Sequence, residues 1–320
     1  MLCSTCGHAA TRRPSFISNM KALIFGSSGQ DGHYLSGQLK ADGIEVLGVS
    51  RTGGDRRLDV GDAAGVRELI REFQPNFVFH LAATSSTAHD HLWSNHASIS
   101  TGTIAVLDAV EKHAPEARVF LAGSGLQFIN DGRPLDEECP LDHSSPYVIA
   151  RNHSLYAARY FRQRGLRVYF GYLFHHESPR RQSSHLIMRI AETAAAQAAG
   201  SKGRLLIGDI DARKEFGYAG DIVNAMRILV QQDELFECVI GTGLGYTVKE
   251  WVQACYSHVG LDWRAYVDKD TSFRNTCPRL VSSPKRLHEL GWHPLVSFAQ
   301  LASMMMDDAV SRVQHRLNHI

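Results

Sequence analysis

Tyr147 and Arg151 stand four residues apart in a stretch, 147–164, whose pattern predicts a helix, so the two side chains share one face. A phenol held beside a permanent cation has a lowered pKa and can pass a proton to or from a substrate hydroxyl. Ser124 follows the apolar run Arg118–Ala122, where its hydroxyl would hold the same substrate oxygen. Ser124, Tyr147 and Arg151 are therefore the candidate catalytic residues. Ser145 and Pro146 lead into the helix as a cap and a first-turn proline.

A second cluster supplies the chemistry such a group would serve. The run Lys21–Phe25 fits a buried strand and passes directly into Gly26-Ser-Ser28-Gly29-Gln30-Asp31-Gly32, after which Tyr34, Leu35 and Leu39 mark a helix. In that setting Gly26 turns the chain, Gly29 lets backbone approach a pyrophosphate, and Gly32 lets the helix pack closely. The helix N-terminus then offers free N–H groups to phosphate. The next strand, Glu45–Ser50, ends on Ser50-Arg51 where binders of the non-phosphorylated dinucleotide carry an acid, so NADP is the expected cofactor. Asp59 and Val60 would lie at the adenine, with Asp59 accepting from its amine. Leu81, Ala82 and Ala83 close the strand 77–81 with residues that let backbone lie against the cofactor.

Strands and helices must alternate to place these groups along one edge. Strands are predicted at Lys21–Phe25, Glu45–Ser50, 77–81, Arg118–Ala122 and 167–172, with helices after Gly32, at Ala63–Phe73, 98–113 and 147–164. That rhythm predicts an α/β fold with a Rossmann-type doubly wound parallel sheet. Beyond about 174 the rhythm loosens, with helices at 186–199, 221–231, 248–259 and 297–313 and strands at Leu205–Ile207 and 238–240. The expected organisation is a leader at 1–19, a dinucleotide-binding part at 20–173, and a smaller mixed α/β substrate part at 174–320 intertwined with it.

Composition excludes several classes. A net charge of +1 over 320 residues gives no basic surface for nucleic acid or membrane, and no apolar run approaches the ~20 residues of a membrane span. Six scattered cysteines read as reduced thiols, pointing to the cytoplasm. Cys3 and Cys6 form a CxxC with no second pair, and His89, His91, His96, His175 and His176 show no ligand spacing, so no metal site is expected.

Three stretches carry a resemblance: Gly26 to Leu35, Ser145-Pro146-Tyr147, and Leu173-Phe-His-His-Glu-Ser-Pro-Arg-Arg181, joined by Gly208 to Gly217 with Asp221. From Met20 to about Val313 the chain resembles the GDP-mannose 4,6-dehydratases, extended short-chain dehydrogenase/reductases of the epimerase/dehydratase superfamily. The resemblance implies oxidation at C4 of GDP-mannose or a related GDP-hexose, loss of water across C5 and C6, and return of hydride to C6. It implies that His175 stands where the family's asparagine touches the nucleotide sugar. Glu177 belongs to the same stretch and is counted with the substrate contacts. Arg180, Arg189 and Lys214 lie at or near diphosphate and base positions, and Arg274 or Arg279 adds a further contact.

Three departures stand out. Ser124-Gly125-Leu126 replaces the family's Thr-Ser-Glu, so leucine stands where the family keeps the carboxylate that handles the C5 and C6 protons. Arg151 replaces a lysine. The loop after Arg51 lacks the arginine-rich insertion that builds tetramers, so a homodimer is expected. Three functions remain open: a dehydratase with its base elsewhere, a 4-keto-sugar reductase or epimerase, and a non-catalytic binding protein. Asp131 and Glu137 are the nearest carboxylates in sequence.

Overall fold

The computed structural model describes residues 19–273 and 277–318. Residues 1–18 of the expected leader, with Cys3 and Cys6, lie outside the described residues, as does Arg274.

Seven parallel strands form the central sheet, in the order Glu237–Ile240, Arg167–Leu173, Arg118–Ala122, Phe77–His80, Lys21–Phe25, Glu45–Ser50, Arg56–Arg57. From Lys21–Phe25 the chain first builds outward in one direction, then returns to build in the other. The order reverses between Lys21–Phe25 and Phe77–His80, and a crevice opens there at the carboxyl ends of the strands. Alternate side chains feed opposite faces. Leu23, Phe25, Val78, Val119 and Val168 pack beneath the helices Ala63–Phe73, Gly102–His113 and Pro146–Gln163. Ala22, Ile24, Phe79, Phe120 and Tyr169 pack beneath Gln30–Ala41 and Ala219–Leu229. Strands buried on both faces are why these runs read as continuously apolar rather than alternating.

A separate core holds the C-terminal part. The helices Leu186–Ala198, Val248–His258 and Phe298–Leu317 enclose the parallel pair Leu205–Ile207 and Val267–Lys269. Trp251 stacks on Phe216 with ring centroids 5.1 Å apart. The last strand of the main sheet, Glu237–Ile240, belongs to this half by sequence, so the two parts are interleaved.

The sequence reading needs one correction and several additions. The helix expected over 98–113 is α-helical only from Gly102; His96–Thr101 winds as a π-helix. The wider winding leaves the Ile99 carbonyl to accept from Ser154 Oγ at 3.3 Å, which ties the segment to the helix Pro146–Gln163. The short strands Arg56–Arg57, His176–Glu177, Arg213–Glu215, Gly217–Tyr218, Gly245–Thr247 and Arg279–Leu280 exist only through their pairing partners.

Candidate active site

At the crevice, Gly26 adopts φ +90°, and a side-chain carbon there would lie 2.7 Å from Ala82 N. Only glycine permits this turn and this contact with the end of the neighbouring strand. A carbon on Gly32 would lie 2.6 Å from Ser27 Cα, so the helix Gln30–Ala41 can start close against the turn. No side chain caps that helix, which leaves its first N–H groups for a ligand. Beyond the turn lies a cavity of about 290 Å³ lined by Ser28, Arg51, Asp59, Val60, Ala82 and Gln182. Ser28 Oγ bonds Ser50 Oγ at 2.8 Å, and Ser50 Oγ accepts from Gly53 N, so the strand end is held while the exposed Arg51 stays free to turn inward. An uncapped helix end, a glycine cradle and an adjoining cavity fit a dinucleotide.

A second cavity, about 440 Å³, continues from the first and shares Gly26, Gly29, Leu81, Ala83 and Gln182 with it. Ser124, Leu126, Tyr147, Arg151, His175 and Arg180 line it, as do Gln30, Asp31 and Gly32. Ser145 Oγ accepts from Val148 N at 3.3 Å to start the helix Pro146–Gln163, and that start turns Tyr147 and Arg151 inward, where both are buried. Arg151 Nε donates to Tyr147 Oη at 3.2 Å, its guanidinium lies 5.2 Å from the tyrosine ring centroid, and a second guanidinium nitrogen donates to the Ala122 carbonyl. Ser124 opens the 3₁₀ turn Gly125–Gln127, accepting from Leu126 N at 3.2 Å while its own N–H donates to Gln127 Oε1 at 2.8 Å. Gln127 Nε2 donates to Asn152 Oδ1 at 3.0 Å and fastens the turn to the helix beside Arg151. Behind them His80 is fully buried; desolvation, aided by the Arg151 charge, pushes its imidazole down to about 3, so it stands neutral.

Leu126 faces the same cavity and packs on the cluster of Ile99, Tyr147, Val148 and Ala150. Among the described residues lining this cavity, Asp31 carries the one carboxylate, and it is bonded to His176 Nε2 at 2.9 Å. Asp131 is paired with Arg133 near the surface, and Glu137 accepts from Val239 N at 2.6 Å; neither lines the cavity.

The substrate side is built from the segment after the strand Arg167–Leu173. His175 and His176 are adjacent, and extended backbone sends them apart. His176 joins Phe174 O at 2.7 Å and Asp31 at 2.9 Å. Burial works against its charge, but the Asp31 carboxylate holds it above its ordinary value, and burial likewise yields to His176 in keeping Asp31 low. Ser178 Oγ donates to Gln30 Oε1 at 2.7 Å, so this segment is stitched to the glycine-turn helix. His175 has its Nδ1 3.8 Å from Glu177 Oε1, and Arg181 Nε lies 3.1 Å from Glu177 Oε2. Burial, with Lys214 and Arg181 nearby, pushes His175 well below its ordinary value. Burial raises Glu177 against the pull of Arg181 and His176.

Arg189 and Lys214 line a third cavity, about 760 Å³, together with Asp209, Asp270 and Phe273. Two residues read as substrate contacts are placed otherwise. Glu177 is wholly buried behind His175 and Arg181, and Arg279 lines none of the three cavities although its neighbour Leu280 does. Glu215 and Asp221, in the motif carrying Lys214, serve the fold: Glu215 accepts from the backbone N–H groups of Thr242 and Ser282, and Asp221 from those of Leu295 and Val296. The sequence reading missed Gln182, which lines both cofactor-side cavities, and His176, Arg181 and His185 beside it. The dense run of charged and polar residues from His175 to His185 was the available signal.

A family model described as GDP-mannose 4,6 dehydratase matches residues 23–305. The chain is 31% identical to GDP-mannose 4,6 dehydratase 1 of Arabidopsis thaliana, over 90% of this chain and 89% of that one. It is 27% identical to GDP-mannose 4,6-dehydratase of Vibrio cholerae, over 93% and 96%. In fold it is similar to RMD from Pseudomonas aeruginosa, solved with NADPH, at a TM-score of 0.83 and 22% identity over 92% of this chain and 100% of that one. It is similar also to the UDP-glucose 4-epimerase of Thermus thermophilus, solved with NAD, at 0.79 and 23% over 91% and 99%.

Proposed function

The chain belongs to the GDP-mannose 4,6-dehydratase family, and we propose that it works as an NADP-dependent enzyme performing C4 redox chemistry on a GDP-linked hexose. The observation that carries this reading is the Tyr147–Arg151–Ser124 cluster opening into a cavity continuous with the glycine turn. Gly26, Gly29 and Gly32 would hold the cofactor pyrophosphate at the helix N-terminus, and Arg51 with Ser28 would meet the 2′-phosphate. Bound there, the nicotinamide supplies the hydride acceptor and donor. Tyr147 takes the proton of the C4 hydroxyl, Ser124 Oγ holds the same oxygen, and Arg151 keeps a positive charge against the phenol oxygen throughout. Arg180 suits the sugar diphosphate and Arg189 with Lys214 the nucleotide, in a cavity whose Asp209 and Asp270 suit the ring N–H groups of guanine. The relatives named for GDP-mannose support that base.

Leu126 in the cavity favours a second reading, a 4-keto-sugar reductase or epimerase, because both need the tyrosine and neither needs the family's carboxylate. Mass spectrometry of GDP-mannose incubated with the purified chain and NADP⁺ separates them. Loss of one water is the outcome expected of the dehydratase. Unchanged mass with transient absorbance at 340 nm establishes C4 oxidation alone.

A homodimer accompanies this reading. Ile149, Tyr156 and Tyr160 lie exposed along one face of the helix Pro146–Gln163, and Trp93 is 80% exposed in the short helix Leu92–Asn95 that packs against it. An apolar face of this kind on a helix pair suits a two-fold interface, and light scattering at twice the chain mass is the expected result. Cys139, Cys238 and Cys255 stand as thiols rather than in disulfides, which supports a reducing setting.

A further inference from the structure

Water loss across C5 and C6 needs a group beside C5 that takes a proton and gives one back, and Leu126 can do neither. Tyr147 serves O4, Asp31 is bonded to His176, and the arginines in the cavity stay protonated. Two uncommitted proton carriers remain among the described lining residues, His175 and His185. The fold distinguishes them. His175 leaves the strand Arg167–Leu173, which pairs directly with Arg118–Ala122, the strand that delivers Ser124. Its neighbour Phe174 packs against the Ser124–Leu126 turn so tightly that a carbon on Gly125 would fall 2.7 Å from the ring. His185 lies ten residues farther on, as the residue before the helix Leu186–Ala198.

The ring of His175 is also presented in a definite way. Its Nδ1 is buried without a hydrogen bond, 3.8 Å from Glu177 Oε1, while a third of the side chain is exposed. The exposed part is therefore the edge away from Nδ1. Both Glu177 oxygens are buried without hydrogen bonds, and that carboxylate is approached by His175 on one side and Arg181 on the other. A buried carboxylate behind an imidazole that faces a cavity favours the tautomer with its proton on Nδ1, leaving Nε2 as the base.

Resting on the nucleotide-sugar reading above, we propose that His175 is the base that moves the C5 proton, with Glu177 as its positioning residue. Once C4 is a ketone, Nε2 takes the C5 proton and the C5–H electron pair moves into the C4 carbonyl as an enolate. In the elimination the pair then forms the C5–C6 double bond as the C6–O bond breaks, and the imidazolium proton goes to the departing hydroxide to give water. The step is redox-neutral and leaves the imidazole as it began. Burial, with the charges of Lys214, Arg181, His176 and His185, pushes the ring well below its ordinary value, which favours the neutral imidazole that a base needs.

Exchange at C5 tests this without hydride transfer. The chain, saturated with NADP⁺, is given GDP-4-keto-6-deoxy-mannose in D₂O, and loss of the H5 proton signal is followed by NMR. Wild type is expected to exchange H5 well above the protein-free rate, and H175N to fall about a hundredfold. His185→Asn should stay within a few-fold of wild type. L126E in the H175N background should restore exchange, and E177Q should slow it and shift its pH profile. H175N exchanging at the wild-type rate, or wild type exchanging no faster than solvent alone, overturns the assignment. H175Q, with similar bulk, gives the same readout should H175N fold poorly. Wild-type exchange without water loss from GDP-mannose would remove the dehydratase reading and leave His175 as the base.

Discussion

The two walls of the cleft are held by different forces. On the cofactor wall, backbone geometry does the holding: Gly26 turns at positive φ, Ser124 is bonded within its own turn, and Arg151 is tied to Tyr147 and the Ala122 carbonyl. On the substrate wall, His175 Nδ1, both Glu177 oxygens and Arg181 Nε are buried without hydrogen bonds, and the charge contact there is that of Arg181 with Glu177 at 3.1 Å. The first wall is tied together by its own hydrogen bonds. Charge held without hydrogen bonds is costly in a folded interior, and it is retained where a ligand or a moving proton uses it.

Four changes sharpen or break this contrast. Tyr147→Phe removes the one group on the cofactor wall that exchanges a proton, so turnover of GDP-mannose should fall about a thousandfold. Cofactor affinity, read by fluorescence titration with NADPH, should hold; unchanged turnover would move the chemistry off that wall. Gly26→Ala attacks backbone instead of a functional group. The strain at φ +90° and the contact with Ala82 should lower stability by about 2 kcal/mol, read by urea unfolding, and weaken dinucleotide binding with it.

On the opposite wall, His176→Asn discharges the His176–Asp31 pair. The His176 value is raised in the fold, so its contribution is complete below the ordinary 6.5 and lost as pH rises through the raised value. Asp31 is lowered, so its contribution is complete above the ordinary 3.8 and lost as pH falls through the lowered value. The variant should be weaker by about 2 kcal/mol between these limits, with the gap closing in alkali. A gap in thermal stability that is constant from pH 5 to pH 9 would show that packing, not charge, joins the halves. Arg51→Ala is the mildest change. Losing one charge-assisted contact should reduce the preference for NADP over NAD about tenfold in kcat/KM, and no change would place 2′-phosphate recognition elsewhere on the cofactor wall.

How much was legible follows the same division. The glycine turn, the strand ends at Arg51 and Ala82, and Ser124, Tyr147 and Arg151 could be picked out as candidates because each rests on a local rule, a glycine between strand and helix or two residues one helical turn apart, and the structure places them around two adjoining cavities. The main sheet was readable for a similar reason, since strands buried on both faces announce themselves as apolar runs. The burial of Glu177, and the absence of Arg279 from the lining of the three cavities, could not be read in advance because burial is a property of neighbours distant in sequence. Glu215 and Asp221, which belong to the stretches that carry the resemblance, anchor loops near Thr242 and Leu295, a role no local pattern shows. The π-wound start of the helix before Gly102 has the same spacing of apolar residues as an α-helix and gave no warning.

Sequence by itself determined the order of strands and helices, the glycine cradle, the tyrosine–arginine face and the absence of a carboxylate at position 126. Those are set by covalent neighbours and by the periods of helix and strand. Only the tertiary structure decided which of two adjacent histidines meets Asp31 and which faces the cavity with Glu177 behind it. That choice depends on where the helix Gln30–Ala41 and the strand Gly217–Tyr218 stand against the segment after Leu173. Burial and long-range charge set it, and neither is written in local spacing.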